Sequence, residues 1–212
     1  MKTKKVAGIG GGAAGFFAAI SVKENHPSHQ VILFEKTSKV LSKVRISGGG
    51  RCNVTHDCSD IPTLCEAYPR GGKKLKSLFY QFSKSDTVDW FESRGIPLKT
   101  EIDGRMFPES NNSQSIIDCL ESEIARLKVT LKLGQTIEQI EQDGIGWKLN
   151  FKDQSNQKFD MVIIATGGSP KITGFDWLKN LGHNIIPPVP SLFTFNMPNE
   201  PIKKLMGLVV EN

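Results

Sequence analysis

Gly10, Gly12 and Gly15 form a GxGxxG pattern directly behind the apolar run Val6 to Ile9, and Glu35 lies 20 residues beyond the last of them. These residue types at this spacing can hold a dinucleotide. Gly10 permits a tight turn, Gly12 lets backbone approach a pyrophosphate, and Gly15 lets a following helix sit close to the strand. The start of that helix turns unpaired N–H groups and the positive end of its dipole toward the anion. Glu35 can accept hydrogen bonds from both hydroxyls of an adenosine ribose and would repel a 2′-phosphate. Glycine turns before helices are common, so the weight rests on the strand, the helix and the acid arriving in the right order.

Two further glycine-rich strings could serve the same ligand. In Val162-Ile163-Ile164-Ala165-Thr166-Gly167-Gly168, an apolar strand ends in small residues whose backbone amides can face a diphosphate. In Ser47-Gly48-Gly49-Gly50-Arg51-Cys52-Asn53-Val54-Thr55, three glycines strip away side chains so that backbone can lie against a flat ligand. Arg51 and Asn53 there add a charge and an amide to orient it.

A helix is expected from Ala13 to about Asn25 with Phe16 and Ile20 on one face, followed by a buried strand over His29 to Phe34. Lys73 to Phe82 and Asp86 to Arg94 read as short helices ending at Gly95. Pro97 to Pro108 reads as a hairpin turning near Asp103-Gly104. Ser113 to Lys128 repeats Ile116, Leu120, Ile124 and Leu127 at helical spacing. An antiparallel meander is then predicted from strands at Val129 to Leu133, Thr136 to Gln142, Trp147 to Lys152 and Met161 to Ala165, with turns at Asp143-Gly144 and Asp153 to Asn156. A plain NAD domain would instead continue to alternate strands and helices.

The 212 residues are 38% hydrophobic and 23% charged, enough for one real core and part of a second domain. The net charge of +5 is uneven: the first fifty residues carry eight Lys or Arg against Glu24 and Glu35, which suits a ligand with two phosphates. Lys2, Lys4 and Lys5 ahead of an apolar stretch imitate a secretory leader, but five glycines interrupt it and no later run is long enough to span a bilayer. A cytoplasmic protein without membrane partners is expected. Cys52, Cys58, Cys65 and Cys119 have neither metal spacing nor a disulfide framework, and His26, His29, His56 and His183 are scattered without metal-ligand spacing.

Taken together, GGGAAG, the acid in LFEK, SGGGRCNVT, GRMFPES at Gly104 to Ser110, ATGG, and Leu181-Gly182-His183 ahead of Pro187-Pro188-Val189-Pro190-Ser191-Leu192 resemble the BaiN-like family of NAD(P)/FAD-dependent, aminoacetone-oxidase-like flavoproteins. The resemblance runs over essentially the whole chain, and SGGGRCN with GRxFP is far more selective than GxGxxG. It implies an α/β fold: a glutathione-reductase-like FAD-binding Rossmann domain over 1–190 with a β-meander and a helical and hairpin segment at 70–110, then the start of an inserted substrate-side domain at 191–212. By position it places Gly10, Gly12, Ala13, Ala14 and Gly15 on the pyrophosphate and Glu35 on the adenosine ribose. Lys36, Lys43, Gly49, Gly50, Arg51, Cys52 and Asn53 fall on the flavin side, Ile137 beside the adenine, and Ala165, Thr166 and Gly167 near the diphosphate.

The chemistry that the resemblance implies is hydride transfer through FAD to or from a conjugated substrate, with a small steroid-like enone and a uridine base in RNA both associated with the group. No catalytic acid or base is assigned. The chain holds no second GxGxxG unit, so NAD(P)H as electron donor would bind transiently or elsewhere. Two departures stand out. Gly168 to Gly182 is shorter than the family's loop and helix, and relatives are about twice this length. The expectation is an N-terminal part of such a flavoprotein, holding FAD poorly until a complementary C-terminal polypeptide completes the site.

Two other classes are weighed. A thiol–disulfide flavoenzyme would use Cys52 and Cys58, but five residues separate them where that chemistry places four. A non-catalytic nucleotide- or RNA-binding module would use the basic start and Arg70-Gly71-Gly72-Lys73-Lys74, although no stacking platform is visible in the sequence.

Overall fold

The computed structural model describes residues 2–58, 60–169, 171–189 and 197–205. Strand β1 (Lys5–Ile9), helix α1 (Ala13–Asn25) and strand β2 (Gln30–Phe34) form the expected β-α-β unit. The chain continues through α2 (Ser42–Gly50), β3 (Thr55–His56), α3 (Ile61–Glu66), α4 (Gly72–Phe79), α5 (Lys84–Glu92), β4 (Leu98–Thr100), β5 (Arg105–Pro108) and α6 (Ser113–Arg126). It closes with β6 (Thr130–Lys132), β7 (Ile137–Asp143), β8 (Gly146–Phe151), β9 (Asn156–Phe159), β10 (Met161–Ile164) and α7 (Asp176–Asn180). The architecture is α/β with a Rossmann-like parallel sheet and a separate β-meander.

The parallel sheet has the order β10-β1-β2-β6. Alternation along β2 decides what packs on each side, because successive side chains point to opposite faces. Leu33 faces α1, where its Cδ1 lies 3.2 Å from a Cβ built on Gly15, whereas Phe34 meets Phe151 and Phe159 of the meander at centroid distances of 5.2 and 5.8 Å. Val6, Phe16, Ile20, Val31 and Leu33 join Ile116, Ile117, Leu120 and Ile124 of α6 in one core.

Two expectations are corrected. Strands β6 and β10 were expected in the meander but pair parallel with β2 and β1. The meander is β7-β8-β9, all antiparallel, and β9 includes Asn156, which was read as turn. Helix α2 runs into the glycine block at 47–55, where Gly48, Gly49 and Gly50 take left-handed φ values of 56°, 68° and 87°.

The described backbone forms two compact units, 1–167 and 168–212. The second contains a 3-10 turn at Ile172–Phe175 running directly into α7, and a further 3-10 turn at Pro201–Leu205. The expected boundary at 190/191 lies outside the described residues. Among those described, no helix is long and apolar enough to cross a membrane, and no cluster of His, Cys, Asp or Glu could hold a metal ion.

Candidate functional site

The turn between β1 and α1 is built by glycines with separate physical jobs. Gly10 has φ +112°, and a Cβ there would lie 2.4 Å from the Ala165 carbonyl oxygen. A Cβ on Gly15 would lie 1.9 Å from the Gly10 carbonyl oxygen, so only glycine lets α1 start this close to the strand. Gly12 differs. Its φ of −92° suits any residue, and a Cβ there meets nothing within 4 Å. Gly12 is the N-cap of α1 without a side-chain cap, and the first amides of a helix have no intrahelical acceptor. The result is an open cradle of N–H groups at Gly12, Ala13 and Ala14, at the positive end of a 13-residue helix.

Glu35 follows β2 and is held from two sides. Its Oε2 accepts from the Gly11 N–H at 2.8 Å, and its Oε1 accepts from the Thr37 N–H at 2.8 Å. The Thr37 hydroxyl lies 2.9 Å from the same Oε1 and 2.8 Å from the Lys39 carbonyl oxygen, with one proton to donate. Partial burial pushes the carboxyl up, but the Gly11 and Thr37 hydrogen bonds and the Lys36 charge outweigh it, and the net direction is below the ordinary glutamate value. The group is an ionised acceptor with free lone pairs on Oε2, aimed from the foot of the glycine turn.

The ATGG segment closes the other side. The Ala165 N–H donates to the Ile9 carbonyl at 2.8 Å, bringing the two glycine-rich signals into backbone contact. Gly167 has φ +74°, and the Lys43 Nζ of α2 stands 3.8 Å from where its Cβ would be, which sets a cation beside this turn. Lys36 is exposed. On the far side of Glu35, the Gln135 N–H donates to the Glu35 carbonyl at 2.9 Å and the Gly134 N–H to the Thr37 carbonyl at 3.0 Å. The half-buried Ile137, two residues after Gln135, begins β7.

The SGGGRCN block is tied to the β4–β5 hairpin. The Arg51 guanidinium pairs with Glu101 at 2.5 Å and stacks 4.0 Å from the Phe107 ring centroid. The Asn53 amide nitrogen donates to the carbonyls of Thr55 and Met106 at 2.9 and 3.2 Å. Both side chains, expected to orient a ligand, are thus engaged with the protein. Gly49 has open space where a Cβ would be, and Gly50 meets only the Arg45 carbonyl, at 3.9 Å. Cys52 is buried with φ 64°, and its burial pushes the thiol above its ordinary range against a hydrogen bond with Ser47. Cys52 and Cys58 form no disulfide.

Three contributors escaped the sequence reading. Gly11 supplies the N–H that holds Glu35, and a Cβ on it would lie 2.9 Å from both Glu35 Cβ and Val40 Cγ1; the GGG run was the available signal. Thr37 could have been found from the Glu-x-Thr spacing, which favours local side-chain to backbone bonds. Leu41, buried with φ 54°, donates its N–H to the Gly11 carbonyl at 2.8 Å; nothing in its sequence context announced it.

The open N–H cradle, the ionised acceptor and the nearby ammonium fit the ADP arm of a dinucleotide. The family described as HI0933-like protein Rossmann domain matches residues 4–195. Over 94% of its length the chain is 28% identical to the 3-dehydro-bile acid delta(4,6)-reductase of Clostridium scindens and 27% identical to the ribosomal RNA dihydrouridine synthase of Escherichia coli, covering 49% and 50% of those proteins. It therefore spans about half the length of the curated relatives it matches. In fold it is similar to a flavocytochrome c3 fumarate reductase (TM-score 0.56, 22% identity, 79% of this chain and 34% of that one). It is also similar in fold to THI4 of Thermovibrio ammonificans (TM-score 0.53, 14% identity, 84% and 62%).

Proposed function

The chain belongs to the HI0933-like Rossmann family, and from that membership we propose that it forms the ADP-binding part of an FAD site in a flavin-dependent oxidoreductase. The observation that carries this reading is the Glu35 carboxylate held by Gly11 beside an α1 N-terminus that Gly12 leaves open. FAD, when bound, would supply hydride transfer to or from a conjugated double bond. The chain's own residues bind and orient. The amides of Gly12, Ala13 and Ala14 and the Lys43 ammonium offset the diphosphate charge, Glu35 accepts from the ribose, and backbone at Ile137 lies on the adenine side. Backbone at Gly49 and Gly50 is assigned to the flavin side.

The proposed substrate is a conjugated unsaturated compound, of which a bile acid and an RNA base are the two cases that the names of similar proteins supply. The proposed reductant is NAD(P)H, visiting transiently, since the one GxGxxG unit is given to FAD. Polypeptide beyond these 212 residues is proposed to complete the flavin pocket.

The test is a titration of the purified chain with FAD, followed by flavin fluorescence, with ADP and FMN as competitors. Saturable binding displaced by ADP and not by FMN is expected, because the contacts lie on the ADP arm. Displacement by FMN as effective as by ADP, or no FAD binding, would overturn the assignment.

A further inference from the structure

The sequence from Ala67 to Ser85 contains Arg70, Lys73, Lys74, Lys76 and Lys84 and no carboxylate. It is a built corner and not a flexible linker. Gly71 takes φ +92°, and a Cβ on Gly72 would lie 2.4 Å from the Cys65 carbonyl oxygen, so α3 and α4 meet backbone to backbone. Helix α4 half-buries Leu75 and Phe79, four residues apart, and Phe79 lies 5.6 Å from the Tyr68 ring. That choice of inner face puts Lys73, Lys76 and Tyr80 at i, i+3 and i+7 along the outer one, with Lys74 beside them. These lysines have no carboxylate partner among the described residues, in contrast to Lys84, which pairs with Asp57 at 2.5 Å. Tyr80 is 65% exposed and Tyr68 42%.

Unpaired cations that repel one another beside bare aromatic rings are satisfied together by a polyanion carrying flat apolar groups. We propose that this surface binds single-stranded nucleic acid, with phosphates on Lys73, Lys74 and Lys76 and an unpaired base stacked on Tyr80. Lys73 to Tyr80 spans about 10 Å of helix, the length of about three stacked nucleotides. A duplex hides its base faces and cannot use the rings. An anionic membrane would want a continuous apolar stripe, whereas eight-residue α4 turns Leu75 and Phe79 inward and leaves Leu78 as its one exposed apolar side chain. The surface is also fixed relative to the glycine turn: Phe82 sits edge-on against Phe17 of α1 at 5.2 Å.

The test uses the intact chain and anisotropy of labelled oligouridylate and oligothymidylate about 20 nucleotides long. Binding that weakens with salt is expected. The triple variant Lys73→Ala/Lys74→Ala/Lys76→Ala should bind at least about tenfold more weakly at low salt, with the logarithmic salt slope smaller by about two. Tyr80→Ala and Tyr80→Leu should weaken binding by about fivefold or more with the slope unchanged. A preference for uridylate over thymidylate would name RNA as the source, and equal binding would name single strands in general. FAD titration of the same variants should match the parent chain, which separates this inference from the flavin assignment. Absence of salt-dependent binding, parental affinity in the triple variant, tighter binding of a duplex of equal length, or retention by phosphatidylserine vesicles without oligonucleotide binding would each overturn it.

Discussion

The Gly11 N–H donates to Glu35 Oε2 at 2.8 Å, so the acid that ends β2 is fastened to the turn that begins α1. One bond makes a single rigid unit of the diphosphate cradle and the ribose acceptor. The order seen in the sequence, glycines first and acid 20 residues later, becomes a contact because β1 and β2 are parallel neighbours in register.

Gly12 and Gly15 should respond oppositely to substitution. Gly15→Ala drives a methyl into the Gly10 carbonyl oxygen, which is backbone and cannot give way without moving α1; a loss of several degrees in melting temperature is expected. Gly12→Ser adds atoms where the protein has none within 4 Å and supplies a good N-cap, so stability should hold or rise slightly. The same side chain fills the cradle, and FAD and ADP binding should be lost. Thermal melts and ADP calorimetry on both variants check this, and a Gly12→Ser protein that still binds ADP normally would refute the cradle.

Glu35 should set the choice between a free and a phosphorylated ribose. Hydrogen bonds to charged acceptors contribute about 1.5–3 kcal/mol, so Glu35→Gln should weaken ADP by about ten- to a hundredfold. It should also narrow the gap between ADP and 2′,5′-ADP, because the repelling charge is gone. Calorimetry with the two ligands measures both effects; an unchanged ratio would mean that Glu35 does not face the ribose.

How much of this was legible follows from what each signal specifies. The β1-α1-β2 unit was readable because buried parallel strands are continuous apolar runs and the turn needs glycine. Period and composition identify a strand but not its partner, which is why β6 and β10 were placed in the meander although they lie beside β2 and β1. Strand β9, Asn-Gln-Lys-Phe, buries only Phe159 and is held by its ladder to β8, so its sequence announces no strand and its first residue, Asn156, reads as turn. Helix α2 starts after a left-handed Leu41 that gives no start signal, and the glycines that stop it drew the reading of ligand-facing backbone instead. Arg51 was legible as a functional charge, but its partner Glu101, fifty residues on, was not.

The α1–α5–α6 junction should be acid-sensitive. Arg94 donates to Glu24 and Glu123 at 2.6 and 3.0 Å, and Arg126 to Glu123 at 2.7 Å. Glu123 is nearly buried, and the Arg126 hydrogen bond leads the causes that hold its carboxyl below the ordinary glutamate value despite burial. A carboxyl depressed in the folded state adds stability above its unfolded pKa, and that stability is lost as pH falls through the folded one. Urea unfolding should therefore show stability declining from about pH 5 downward. Arg94→Met leaves Glu123 with a weaker partner set and should cost about 3 kcal/mol at neutral pH. In Glu123→Gln the acid-dependent decline should be shallower; an identical decline would place the sensitivity elsewhere.

Cys52 should behave as a packing residue and not as a redox centre. Its side chain is buried, burial pushes its thiol up, and a thiol attacks only as thiolate. Cys58 and Cys65 are only half-buried. In the folded chain a disulfide reagent should modify Cys58 and Cys65 first, with Cys52 reacting at the rate of unfolding, and mild oxidation should leave Cys52 and Cys58 unlinked. Cys52→Ala empties a buried, packed position and should cost about 1–3 kcal/mol of stability, whereas Cys58→Ser should be near neutral. Rapid, pH-independent modification of Cys52 in the native protein, or a reversible Cys52–Cys58 disulfide seen by mass spectrometry, would restore the thiol–disulfide mechanism.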